Sequence, residues 1–318
     1  MCHTASYTRR AFCSMALGIC AALLLPCPAF ASIAQGIGKP VSDEALNAAF
    51  ADMCRGAEQM LAGQRPAQDL RAMLAEAKKI HARLLPLPDI GGPENLTYPS
   101  FLVGPQYAAL YTAMRPYGFS ARDVGKLVYD LAVYGMAAEP QVYRANGQRF
   151  FTPEYFALVQ AWAQRSQQRR HAMDWVLTVF KGNGHDFDIG VDYTECGLVK
   201  YFASLGMQEL APYPCQIDFP TSRAEGTGLV RTTTLASGGK VCDFRYKRGR
   251  PVTQDWNTEQ DAGRSLAEAT RTLVAQYPEH KTLIQAYYER WPEMLRAELP
   301  EGVAILEALH QVDMPLFG

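Results

Sequence analysis

The sequence predicts an α+β fold: a helical amino-terminal region, an antiparallel sheet of about four strands formed by two hairpins with short helices between them, and carboxy-terminal helices. Three observations carry this. Up to Gly135, apolar residues recur at helical spacing, as in Leu46, Ala49, Phe50, Met53 and Leu70, Met73, Leu74, Ala77. From Trp175 to Val191, and again from Gly228 to Lys247, β-branched and aromatic runs flank glycine-rich turns. Between Leu266 and Leu299 the helical spacing returns, with Tyr287 and Trp291 on an apolar face.

The first 31 residues read as a targeting segment. Arg9 and Arg10 precede an apolar run from Met15 to Leu25, and Ala29-Phe30-Ala31 supplies a small-residue cleavage site. The context Thr8-Arg9-Arg10-Ala11-Phe12 reads as a twin-arginine export signal, so a periplasmic or otherwise exported location is expected. The apolar run is short against the roughly 20 residues a spanning helix needs, so no stable membrane span is expected after cleavage. The domain reading is therefore 1–31 signal, 32–150 helical region, and 151–318 an α+β domain with carboxy-terminal helices.

Within the helical region, Ser42 followed by Glu44 and Ala45 is a helix start, and the proline- and glycine-rich segment from Leu85 to Pro99 is a loop. Ser120 caps a helix through Val124, Leu127, Val128, Leu131 and Ala132, and Pro153 opens another through Phe156, Val159 and Trp162. Trp175 to Phe180 and Phe187 to Val191 are the first hairpin, turning at Gly182-Asn183-Gly184. Thr194 is expected to cap a helix burying Leu198, Tyr201, Phe202 and Leu205. Short helices at Glu209 to Tyr213 and Asp218 to Glu225 lead to a second hairpin, Gly228 to Leu235 and Lys240 to Lys247, across Ser237-Gly238-Gly239.

Composition excludes several functions. The 318 residues are 48% hydrophobic and 20% charged with a net charge of −1, which leaves no basic surface for tracking nucleic acid. Removing Arg9 and Arg10 from the 31 basic residues leaves 29 against 32 acidic, a net charge of −3. Cleavage also removes Cys2, Cys13, Cys20 and Cys27, and the remaining Cys54, Cys196, Cys215 and Cys242 are too few for a disulfide-built scaffold. No serine nucleophile elbow, glycine-rich phosphate loop or metalloprotease pair is present.

Chemistry-bearing residues concentrate between Tyr193 and Tyr246. Cys196 falls in the first turn of the helix expected after Thr194, where the helix dipole favours a thiolate, so it is the first candidate for a nucleophile; a buried structural cysteine is the alternative. Arg231, expected on a strand beside Thr233, needs an anion: Asp218 or Asp243 structurally, or a substrate carboxylate functionally, with Thr234 adding a hydroxyl. Asp218 is a candidate helix cap or general acid-base. Strand alternation puts Cys242, Phe244 and Tyr246 on one face and Asp243 and Arg245 on the other. Cys196, Cys215 and Cys242 are candidates to join a metal site with His185, Asp186, Asp188 or Asp218, or to pair as disulfides; the spacing lacks the paired motif of a zinc site. His185 at the turn reads as solvated.

These same residues resemble the L-2-amino-thiazoline-4-carboxylic acid hydrolase family: Thr194-Glu195-Cys196, the step from Cys215 to Asp218 and Phe219, Arg231 with Thr234 and Leu235, and GGKVCDFRY ending at Tyr246. The resemblance implies ring opening of 2-aminothiazoline-4-carboxylate to N-carbamoyl-L-cysteine. It implies Cys196 as nucleophile or water-positioning group, Asp218 or Asp243 as proton carrier, and Arg231 as a carboxylate clamp. Cys215 and Cys242 would line the pocket. The expected partner is a small-molecule substrate, with no cofactor assigned apart from a metal at the cysteine cluster. The competing reading is a non-catalytic metal- or ligand-binding sensor module.

Overall fold

Among the described residues seven α-helices precede the first strand, and their ends and buried stripes show why they form. The computed structural model describes residues 41–92, 95–254 and 256; the targeting segment and the helices expected at Leu266 to Gln276 and His280 to Leu299 lie outside them. In α1 (Asp43–Leu61) the Ser42 hydroxyl accepts the Ala45 N–H at 3.2 Å, and Leu46, Phe50, Met53, Cys54, Ala57 and Leu61 form the buried stripe. It packs against α2 (Ala67–Arg83), where the His81 ring stacks on Phe50 at 4.3 Å. Burial pushes the His81 pKa down to about 4, so this imidazole is neutral packing material.

The short α3 (Tyr98–Phe101) leads into α4 (Val103–Met114), which is buried on nearly every side. A helix apolar all round belongs in the interior, and α4 accordingly touches α2 and the next helix, α5 (Ala121–Ala138). A capping box joins Ser120 and Asp123 at the start of α5. The sequence reading passes over α6 (Pro140–Phe150), which opens on a proline, a residue suited to a helix's first turn. Helix α7 (Pro153–Ser166) begins at the expected proline, with Thr152 as its cap.

The sheet has four antiparallel strands in the order β1-β2-β4-β3. Strands β1 (Val176–Lys181) and β2 (Ile189–Glu195) are the first hairpin, with Val179 opposite Val191. The return strand starts at Ile189, two residues later than expected, because the Asn183 side chain and the Gly182–Asp188 hydrogen bond close the preceding residues as a loop. After β2 comes α8 (Gly197–Ser204), then a 3-10 turn at Gln208–Leu210 where a longer helix is expected, another at Pro214–Ile217, and α9 (Asp218–Glu225). Across residue 150, α6 packs on α9 and α4 on α8, so the helical region and the later elements share one core.

The second hairpin is shorter than the sequence suggests. Strand β3 is only Leu229–Val230, paired with β4 (Cys242–Tyr246). From Arg231 the backbone leaves the sheet because the Asp243 carboxylate takes its donors: Oδ1 accepts the N–H of Thr232 at 2.9 Å and of Thr233 at 2.8 Å, and Oδ2 accepts the Thr232 hydroxyl at 2.6 Å. Strand β4 alternates as expected, burying Cys242, Phe244 and Tyr246 and turning Asp243 and Arg245 to the other face.

Candidate active site

Cys196 is the joint between β2 and α8. Thr194, the expected cap, is still in β2; the helix begins at Gly197 and Cys196 is itself the residue that caps it, with extended backbone (φ −125°, ψ 122°). Its side chain closes no capping hydrogen bond, but the backbone N–H groups of Leu198 and Val199 and the Trp175 indole N–H act on the thiol and lower its pKa. Glycine is required at 197 because a Cβ there would lie 2.4 Å from the Met173 carbonyl and 2.6 Å from the Trp175 ring. That close approach lets the indole reach the thiol.

The expectation of an easily formed Cys196 thiolate is corrected. Burial raises its pKa above the ordinary thiol value, and the three N–H donors offset that only in part. The resting group is a thiol whose proton must be removed as it reacts. The same holds more strongly at its neighbours: burial pushes Cys215 well up against the opposing charge of Arg231, and Cys242 up to about 12.

Arg231 has its anion within the fold. Its Nη1 pairs with Asp218, its Nη2 donates to the Cys215 carbonyl at 2.9 Å, and its guanidinium lies 4.9 Å from the Phe219 ring centre and 4.8 Å from that of Phe244. Both side chains of the pair are sealed, at 0% and 2% exposure. The ion-pair alternative for Arg231 is thus the one found, with Asp218 and not Asp243 as partner. Asp218 is also no helix cap: Ile217 holds that position, and Asp218 is the first residue of α9.

Asp218 acts electrostatically on each of the three thiols, Arg231 acts on Cys215 and Cys242, and the charge of Cys196 acts on both of those. Cys196 and Cys215 are half-buried and Cys242 is buried. The Cys242 sulfur accepts the Leu235 N–H at 3.1 Å, and the Cys215 sulfur lies 3.9 Å from the Ala211 carbonyl. Thr234, expected at the substrate, is fully buried; its hydroxyl meets Ser237 Oγ at 2.7 Å and caps the turn Leu235–Ser237 that delivers the Leu235 N–H. Asp243, on the opposite face of β4, stands apart from the thiols as the anchor of the 232–233 loop.

Cys54, Cys196, Cys215 and Cys242 are all free thiols, which corrects the disulfide alternative. Among the described residues no three His, Cys, Asp or Glu side chains are grouped to hold a metal ion. His185 is exposed at the turn beside Asp186.

One member of the cluster went unnoticed in the sequence. Tyr107 on α4 is fully buried, its hydroxyl has no hydrogen-bond partner among the described residues, and the charges acting on it are those of Cys215 and Asp218. A tyrosine in an apolar helix reads as core, and only the packing of α4 on α8 and the charges of Cys215 and Asp218 acting on it distinguish it.

Fold and site together define an α+β protein with a thiol-rich polar cluster enclosed between a sheet and its helices. The family model described as L-2-amino-thiazoline-4-carboxylic acid hydrolase matches residues 105–246, from the first turns of α4 to the last residue of β4, and supports the resemblance read from the sequence. That segment contains every member of the cluster, Tyr107 included. No curated protein and no solved structure matches the chain.

Proposed function

We propose that the protein is a thiol-dependent hydrolase that opens the ring of a small cyclic amidine carboxylate of the 2-aminothiazoline-4-carboxylate type. The observation that carries this reading is the convergence of Cys196, Cys215, Cys242, Asp218 and Arg231, within the segment that matches a family named for that hydrolysis. Cys196 is the nucleophile, because it is half-buried at the start of α8, where the N–H groups of Leu198, Val199 and Trp175 favour its thiolate. Its sulfur adds to the amidine carbon while its proton passes to Asp218. The ring carbon–sulfur bond then breaks, the ring sulfur leaves as a thiolate and takes a proton, and an isothiourea on Cys196 remains. Water adds to that carbon, Cys196 departs, and the carbamoyl product is free.

Arg231 acts on Asp218 and the Cys215 backbone instead of clamping the substrate carboxylate, since its side chain is sealed from solvent and already paired within the fold. The reading also has the protein exported, on the strength of the Arg9-Arg10 segment alone. The test is hydrolysis of 2-aminothiazoline-4-carboxylate, followed as release of the product thiol. Cys196→Ala is expected to lose at least about a hundredfold in kcat with an unchanged circular dichroism spectrum. A variant that retains activity within a few-fold overturns the assignment.

A further inference from the structure

We propose that Tyr107 is a catalytic residue of this site: its hydroxyl donates a hydrogen bond to the sulfur anion that leaves the ring. The inference rests on the ring-opening reading above and adds the group that reading lacks, a donor for the departing atom.

The argument begins with the account of donors around the cluster. The N–H groups of Leu198, Val199 and Trp175 act on the Cys196 sulfur, the Cys242 sulfur accepts the Leu235 N–H, and Asp218 accepts from Arg231. The Leu235 and Arg231 donors are engaged before any substrate arrives. The Tyr107 hydroxyl is not: it is buried with the residue at 0% exposure and bonds to nothing among the described residues. A buried hydroxyl without a partner is costly, and in a folded protein it calls for an explanation. A donor idle in the resting protein and engaged only as charge develops is what lowers a barrier, because its interaction is absent from the ground state.

Direction follows from the neighbours. Cys215 and Asp218 are the charges that act on Tyr107, whose ring meets Phe202 of α8, the helix that Cys196 caps. Addition of Cys196 makes the ring carbon tetrahedral, with the two sulfurs on separate corners, and in this proposal the ring sulfur takes the corner nearer Asp218 and Tyr107. Tyr107 is held there by its edge-on contact with Phe202 of α8, at 6.4 Å between ring centres. Burial pushes the phenol pKa well above its usual value, so the group stays protonated and acts as a donor. No proton leaves the phenol: the new bond is a hydrogen bond, and the sulfur takes its proton from the acid form of Asp218.

The experiment compares Tyr107→Phe with the unaltered protein on 2-aminothiazoline-4-carboxylate and on 2-aminooxazoline-4-carboxylate, whose leaving oxygen carries charge in a smaller, harder atom. Expected is a fall in kcat of about 10- to 100-fold on the thiazoline with little change in KM, a larger fall on the oxazoline, and thermal stability equal to or above that of the parent. Equal losses on the two substrates, or a thiazoline kcat within twofold of the parent, overturn the proposal. If neither protein opens the oxazoline, the kcat-against-KM split on the thiazoline decides. Cys196→Ala separates the two ideas: an inactive Cys196 variant beside a fully active Tyr107→Phe sinks only the role of Tyr107, and an active Cys196 variant sinks the thiol mechanism.

Discussion

Arg231 and Asp218 meet as an ion pair sealed from solvent, the one at 0% and the other at 2% side-chain exposure. Removing water from two charges is expensive, and the arrangement repays it by stacking the guanidinium between Phe219 and Phe244 and by a second bond to the Cys215 carbonyl. The pair fixes the start of α9 against the chain leaving β3, and so fixes where Asp218 stands relative to the three thiols.

Breaking one side of that pair leaves a buried charge without its partner. Arg231→Met and Asp218→Leu are each expected to destabilise the fold by about 3–5 kcal/mol, and the double variant by less than the sum of the two. Urea unfolding of the four proteins measures this. Additive losses would mean that the two side chains do not depend on each other.

Asp243 separates a structural role from a chemical one. Its Oδ1 accepts two backbone N–H bonds and its Oδ2 one hydroxyl, all from Thr232 and Thr233. Asparagine keeps an oxygen at the Oδ1 position, so Asp243→Asn is expected to keep ring-opening activity within about tenfold, whereas Asp243→Ala costs about 2–3 kcal/mol of stability. A general acid-base at this position would instead lose at least about a hundredfold in the asparagine variant. Steady-state assays beside denaturant titrations separate the two.

Much of this arrangement was legible in the chain because it is decided locally. The Ser120 cap, the proline opening α7, the span of α9 and the alternation of β4 each depend on residues within a turn or a strand of one another. What escaped depends on distant partners. Thr232 and Thr233 have strand propensity, yet Asp243 from a neighbouring strand takes their N–H groups. Thr194 is a good cap by type, but pairing of β1 with β2 extends to Glu195 and leaves the cap to Cys196. The thiol was expected to be acidic from the helix end alone; burial, a property of the assembled fold, outweighs those N–H groups. Tyr107 is invisible for the same reason.

Glu225 at the end of α9 gives the fold a dependence on pH. It is buried, neither carboxyl oxygen has a hydrogen-bond partner among the described residues, and the Asn146 side chain on α6 acts on it. Burial raises its pKa well above the ordinary carboxyl value of 4.5, so the folded protein keeps a proton that the unfolded chain releases. Its contribution to stability is full below about pH 4.5 and is lost as pH rises through the folded-state value. Glu225→Gln is expected to remove that decline and to be the more stable protein at the upper end of a pH 4 to 8 urea series. Parallel curves for the two proteins would contradict it.

Gly147 lets α6 reach α9 beside that carboxyl. A Cβ at this position would lie 1.8 Å from the Glu225 carbonyl oxygen and 2.7 Å from its carbonyl carbon, and both are backbone atoms with no rotamer to move. Gly147→Ala would ordinarily gain helix propensity; here the two helices must part, and the clash is expected to reverse the sign, costing about 1–3 kcal/mol. Because α9 begins at Asp218, the displacement should also reach the thiols. Denaturant midpoints report the first effect and the rate of Cys196 alkylation the second. An alanine variant as stable as the parent would mean that α6 and α9 do not approach this closely.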